Sequence, residues 1–505
     1  MIKTNPFSNQ TFTTVLVGIL SFLILSATPN PFPLTSDECF SLYHAQFPIP
    51  TIWKELSRGN NPPLFETLLH FWIKAVGYSE SSVRILPTVL ISMATAGIWR
   101  LALSLYRSLF SAAAACLFFL GSNTVLLFAH EVRAYGLLLC LTVACQALWV
   151  LARGEKSNSL KMMWSLSAIA LAYTHFFGLW ILLIQAIYDL KSYLKNKNKI
   201  AFLHQFSPWF LVIFAYLPYL RVLMVRFIDS ASSGTWMEPA PWSAPYFTLW
   251  KFTNIPMAVF PTIILFILAI KTSVKSSKIP SNIAPRHYLI VSFAVPFLIM
   301  WLISLPSPVC IPMFNERYSS FVIPSLTLII AGQIDFRNFS KESLVPFKIP
   351  IALWIFLLVG LYSFRAVVVN QNIDVRSIVQ ETQKNNTIPI VLEPDHSAFQ
   401  WLYYTHPDKF KQWRSDSIYH HMAQQLIKEN VFILRTRNSL DSLGLSDFDS
   451  LYYVHMDNRK TLHTLTIETI IRDRFLVSSF PFTSARQSLP VFKSKTTEFW
   501  KLKRK

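Results

Sequence analysis

Residues 33–87 read PLTSDECFSLYHAQFPIPTIWKELSRGNNPPLFETLLHFWIKAVGYSESSVRILP. The stretch follows an apolar segment, Thr13–Ala27, and leads into another, so it is a loop between membrane spans. A simple connection needs only a few polar residues. This one is long, rich in aromatic residues and opens with adjacent carboxylates, Asp37-Glu38. It goes on to Asn60-Asn61-Pro62-Pro63, Ser79-Glu80 and Arg84. Leu64–Val76 has the spacing of an amphipathic helix lying along the membrane surface, with proline suited to its first turn. The loop is therefore read as an active-site loop.

The rest of the chain fits that setting. Of its 505 residues, 52% are hydrophobic and only 14% charged, against about 25% charged in soluble domains. With repeated apolar runs, this makes a polytopic membrane protein and excludes a soluble one. The runs lie near 85–106, 109–129, 132–152, 160–173, 176–190, 201–220, 256–270, 287–305, 318–333 and 349–367. Thr13–Ala27 is read as an uncleaved anchor, because it is long for a signal core and Pro29 follows it. The total is about eleven transmembrane helices.

The net charge of +19 raises the question of nucleic acid, but its placement gives another answer. Arg107, Arg153–Lys161, Lys191–Lys199, Lys271–Arg286 and Arg337–Lys348 all fall on one side if the spans alternate. That side is the cytoplasm by the positive-inside rule. No basic and aromatic stripe marks one face, so nucleic acid is not a partner. Asp37, Glu38, Glu55, Glu80, Glu131, Asp229, Glu238 and Glu316 then gather at the outer surface, where carboxylates beside apolar segments point to a polar cavity. Cys116, Cys140 and Cys145 lie inside apolar runs as small hydrophobes, and no CxxC spacing occurs.

Residues 1–369 thus form a transmembrane domain, and 370–505 have the composition of a soluble one, on the outer side after an odd number of spans. Strand-like runs at 389–392, 431–434, 451–455 and 489–492 alternate with helical ones at 374–385 and 420–430, which suggests a small α/β domain. It has no glycine-rich phosphate loop, and Asp395-His396 is read as a surface turn.

Each chemical motif has a bland alternative. Asp37-Glu38 suits a general base and its neighbour, or the N-terminal turn of the helix that follows. Arg84, at a membrane boundary, suits a phosphate grip or a snorkelling cation. In His130-Glu131-Val132-Arg133-Ala134-Tyr135, Glu131 and Tyr135 share a helix face. Burying Glu and Arg at a helix end is costly, which favours function there. Asn315-Glu316-Arg317-Tyr318 repeats that chemistry, with an interfacial Arg–Tyr anchor as its alternative.

Taken in order, D-E after the first span, P-P-L before an amphipathic helix, S-E-x-x-x-R-x-x-P, H-E-x-R-x-Y and a late R-Y resemble the C-type membrane glycosyltransferases (GT-C). The resemblance covers residues 10–367 and is to the family related to protein O-mannosyltransferases and the lipid A aminoarabinose transferase. The familiar form carries His before the Pro-Pro pair where this chain has Asn61.

The resemblance implies an inverting transfer of a sugar from a polyprenyl-phosphate carrier to an acceptor hydroxyl, at the extracytoplasmic face of the inner membrane. It maps the base onto Asp37 with Glu38 beside it, and Arg133 and Arg317 onto positions that contact the carrier phosphate or shape its cavity. Asn61, Arg84, His130, Glu131, Tyr135 and Tyr318 complete the expected substrate-binding set. Some relatives use a divalent cation and others none; Asp37, Glu38 and Glu131 are the groups that suit one. The acceptor is left open among protein, lipid and polysaccharide. Two other classes compete: a lipid-linked saccharide transporter that forms no bond, and a scaffold whose C-terminal domain binds partners. The transporter would need polar groups through the bundle, whereas the spans are nearly free of charge at mid-depth.

Overall fold

The computed structural model describes residues 6–57, 62–155, 157–196, 199–233, 237–276, 285–308, 310–334, 360–371, 374–384, 387–394, 396–407, 424, 426–434, 448–456, 462–479, 484–489, 491 and 497–505. The chain divides into two units. The first is Met1–Pro29, Trp53–Leu68 and Arg84–Arg365; the second is Asn30–Ile52, Leu69–Val83 and Ala366–Lys505. A division at 369/370 is what the composition suggests, but most of the first outer loop belongs with the C-terminal residues. The reason is side-chain contact that composition does not record, described below.

The first unit is helical. Four helices are long and apolar enough to cross a membrane: Glu80–Tyr106, Ala134–Arg153, Phe206–Ser230 and Arg286–Ile303. A fifth span arises if the pair Ala244–Thr253 and Pro256–Lys271, bent by 103°, counts as one. Shorter apolar helices cover Gln10–Ser26, Leu109–Gly121 and Ser320–Ala331. The expected count of eleven is therefore not reached among the described residues, and most of the 349–367 run lies outside them.

Capping explains part of the difference. The single run expected at 109–129 splits at Ser122, which ends the helix Leu109–Gly121 and N-caps Asn123–Phe128 through its hydroxyl. The runs at 160–173 and 176–190 are separate helices, Asn158–Ala172 and Leu179–Asn196, interrupted at Tyr173–Gly178 where the His175 side chain caps a short turn. At the far end of this pair, Asp189 accepts indole hydrogens from Trp149 (3.3 Å) and Trp209 (2.8 Å) and pairs with Arg153, tying three helices together.

The second unit is built on a five-stranded sheet. With β1 at Val367–Gln371, β2 at Ile390–Glu393, β3 at Val431–Ile433, β4 at Ser450–His455, β5 at Phe475–Ser479, β6 at Ser484–Ser488 and β7 at Glu498–Arg504, its order is β3-β2-β4-β7-β5. β2 runs parallel to β3 and β4, while β7 is antiparallel to β4 and β5; β1 and β6 form a separate antiparallel ribbon. The short apolar runs at 389–392, 431–434 and 451–455 are the parallel strands, as expected of strands buried on both faces. Of the expected strand at 489–492, Leu489 and Val491 are described and lie outside any strand, just after β6, while 490 and 492 lie outside the described residues, as do 420–423 and 425 of the expected helix at 420–430. Val391, Leu451, Tyr453, Ile467, Ile471, Trp500 and Leu502 form the core.

The helices of the first outer loop are short, as their sequence dictates. Leu64–Val76 forms the expected amphipathic helix, and Gly77 closes it with φ of 86°, a conformation that suits glycine. Thr35 starts the helix Ser36–His44 with a reciprocal capping box. Its hydroxyl accepts from the Glu38 N–H, and the Glu38 carboxylate accepts from the Thr35 N–H at 2.7 Å.

Candidate active site

The first unit gathers charged and aromatic groups from four distant segments. Arg317 Nη2 lies 3.2 Å from Glu131 Oε1, and its guanidinium carbon lies 5.8 Å from the Tyr135 ring centre. Tyr135 stacks on Phe128 at 4.7 Å, on the same turn as the loop that carries His130, Glu131 and Arg133. Thr88 fixes that loop to the helix bearing Arg84, donating its hydroxyl hydrogen to the Ala129 carbonyl at 2.8 Å. Arg84, His130, Glu131 and Tyr135 are all buried.

Asn315 presents the last segment. Its side-chain oxygen accepts from the Tyr318 N–H at 2.8 Å, a local turn that places Arg317 and Tyr318 at the start of the helix following residue 319. Glu316, next in line, pairs with Lys251 at 2.6 Å.

His175 completes the cluster, from the break between the helices Asn158–Ala172 and Leu179–Asn196. Its ring lies 5.9 Å from that of Tyr135 and 5.7 Å from that of Tyr318. Nδ1 accepts from the Phe177 N–H at 3.3 Å, so the neutral ring carries its proton on Nε2, a buried atom with no hydrogen bond among the described residues. Burial, then the Arg133 guanidinium, lowers its pKa to about 3. Burial, then Arg84, lowers that of His130 to about 4. Both rings are neutral at pH 7, able to donate without adding charge. The only signal in the sequence was a histidine, in Tyr173-Thr174-His175, set between two apolar runs.

The cluster therefore offers guanidinium groups, a neutral N–H donor and tyrosine rings in a site that is buried at His130, Glu131, Tyr135 and His175 and half-buried at Arg133, Arg317 and Tyr318. That set suits an anion with an apolar tail: cations strengthen against phosphate where water is excluded. Glu131 holds Arg317 in place, and its carboxylate is engaged in that pair.

Asp37 and Glu38 lie in the second unit, in the first turn of the helix Ser36–His44. Asp37 is half-buried, and Glu38 is buried with its carboxylate in the capping box. The two neighbours thus differ in employment: Glu38 has the structural task that was its bland alternative. Asn61 lies outside the described residues. Among the described residues, no group of three or more His, Cys, Asp or Glu side chains is placed to hold a metal ion.

No protein-family model matches the chain, and no curated protein matches it by sequence. The fold does have solved counterparts. The crystal structure of ArnT from Cupriavidus metallidurans in the apo state superimposes with a TM-score of 0.55 at 10% identity, covering 98% of each chain. ArnT from the same organism bound to undecaprenyl phosphate gives 0.53 at 11% identity, again over 98% of each chain. ArnT is the lipid A aminoarabinose transferase, so the likeness falls where the motif order placed it. At this identity the shared property is the fold: the chain is a multi-pass membrane protein with a GT-C-like architecture, that of ArnT, over nearly its whole length.

Proposed function

We propose that the protein transfers a sugar from a polyprenyl-phosphate carrier to an acceptor hydroxyl, on the extracytoplasmic face of the inner membrane. The observation that carries this reading is the convergence of Arg317, Tyr135, Tyr318 and the Nε2–H of His175 in one cluster, half-buried at Arg317 and Tyr318 and buried at Tyr135 and His175. A fold solved elsewhere with undecaprenyl phosphate bound supports it.

Asp37 is the general base. It takes the proton from the acceptor hydroxyl as the oxygen attacks the anomeric carbon. The bond from that carbon to the phosphate oxygen breaks, and the electron pair leaves with the polyprenyl phosphate. Arg133 and Arg317 stabilise the departing charge, with His175 as a further donor. Attack opposite the leaving group inverts the anomeric centre.

The test is turnover by the purified full-length chain in vesicles, with radiolabelled mannose and 4-amino-4-deoxyarabinose each linked to undecaprenyl phosphate. Carrier-linked label should be consumed, and Arg133→Ala and Arg317→Ala should each slow consumption about 100-fold. Movement of label across the bilayer with no bond formed would favour the transporter instead.

A further inference from the structure

The helix that carries Asp37 is held by side chains more than 300 residues away in the sequence, all within the second unit. The grip falls on Leu34, just before the helix cap. Its N–H donates to the Tyr404 hydroxyl at 2.8 Å, and its carbonyl accepts from Gln400 Nε2 at 2.7 Å. Both side chains sit on the helix Ser397–Thr405. One turn further on, the Gln400 amide oxygen accepts from the Ser36 hydroxyl at 3.3 Å. Phe399 of the same helix meets Phe40 and Tyr43, each with ring centres 5.4 Å away.

Tyr404 does a second job. Its hydroxyl donates to the Glu80 carboxylate, at the far end of the first outer loop. Arg376 holds that carboxylate in a two-pronged grip, Nε at 3.1 Å and Nη2 at 2.8 Å. One phenol thus joins both ends of the loop, accepting from Leu34 and donating to Glu80. Burial, with the Glu80 carboxylate adding to it, pushes the Tyr404 phenol upward, so it stays a donor at any working pH.

We infer that Tyr404 is a positioning residue: the C-terminal residues hold the Asp37 helix in its working orientation, with Arg376 fixing the acceptor that Tyr404 needs. This rests on the reading of Asp37 as base. It assigns the C-terminal residues a part in the chemistry, beyond any choice of acceptor.

The experiment compares Tyr404→Phe with the unaltered full-length protein in two measurements. Tyr404→Phe keeps the ring and its packing. Hydrogen exchange at residues 34–44 should become about 5-fold faster, the effect of one lost hydrogen bond, with the sheet strands unchanged. With an undecaprenyl-phosphate-linked sugar that the enzyme consumes, kcat should fall about 10-fold or more while KM changes less than about 2-fold. Arg376→Lys should lie between Arg376→Ala and the unaltered protein in both. Unchanged exchange at 34–44 overturns the positioning role whatever the activity does. Faster exchange with unchanged kcat overturns the link to turnover. Full activity of Asp37→Asn, by contrast, would refute the base assignment and leave the exchange result standing.

Discussion

Arg317 and Glu131 form an ion pair of 3.2 Å between the loop before the span Ala134–Arg153 and the segment before the shorter apolar helix Ser320–Ala331. Glu131 is buried and Arg317 is about one-third exposed. A Glu131→Gln substitution keeps the shape and removes the charge. It should cost about 2 kcal/mol, between the values for exposed and buried pairs, read as a lower unfolding temperature in detergent. Adding Arg317→Met should restore much of that stability while leaving binding of undecaprenyl phosphate weak. Recovery of both would make the pair structural only.

The two adjacent carboxylates of the first outer loop should separate cleanly. Glu38→Gln retains a side chain that serves a capping box, so it should fold and turn over at near the parent rate. Thr35→Ala removes the cap and should cost about 1 kcal/mol of stability. Equal loss of turnover in Glu38→Gln and Asp37→Asn would contradict the division of labour drawn here.

His175→Phe preserves the aromatic packing against Tyr135 and Tyr318 and removes the Nε2–H. Affinity for undecaprenyl phosphate should drop about 10-fold, the worth of one hydrogen bond to a charged group. The two buried histidines also make the fold acid-sensitive. Their folded pKa values, about 3 for His175 and about 4 for His130, lie below the ordinary 6.5, so below pH 6.5 the unfolded chain binds more protons. Their contribution to stability is full above pH 6.5 and is lost as pH falls towards 4. Unfolding temperatures at pH 7.5 and 5 measure it, and the difference should shrink in His175→Phe.

A separate acid effect belongs to the C-terminal sheet. Glu393 is buried, which raises its pKa, but His455, whose Nδ1 is 3.8 Å away, the Tyr453 hydroxyl and Thr464 outweigh burial and hold it below the usual 4.5. Its share of stability is present above pH 4.5 and is lost as pH falls through the lowered value. Tryptophan fluorescence from Trp401 and Trp500 should report the loss. Glu393→Gln should flatten that part of the curve.

What the sequence made legible was local. The apolar runs located the spans, and the limits of the helix Leu64–Val76 agreed residue for residue. Burial of His130, Glu131 and Tyr135 followed from charge placed at the edge of apolar runs. The long-range partners were hidden, because periodicity carries no information about Arg376 meeting Glu80 or Gln400 meeting Leu34. His175 escaped notice for a related reason. A lone histidine in a turn becomes a candidate only when Tyr135 and Tyr318 are seen beside it. Span counting failed where one serine, Ser122, serves as a cap at two helix ends, a detail finer than any hydropathy average.

The most direct measurement is product formation by Asp37→Asn in vesicles that contain an undecaprenyl-phosphate-linked sugar consumed by the parent enzyme. The account predicts that Asp37→Asn binds undecaprenyl phosphate as the parent does and forms no detectable product, while the parent's product has the anomeric configuration opposite to the donor. Turnover by Asp37→Asn at the parent rate, or product that retains the donor configuration, would contradict it.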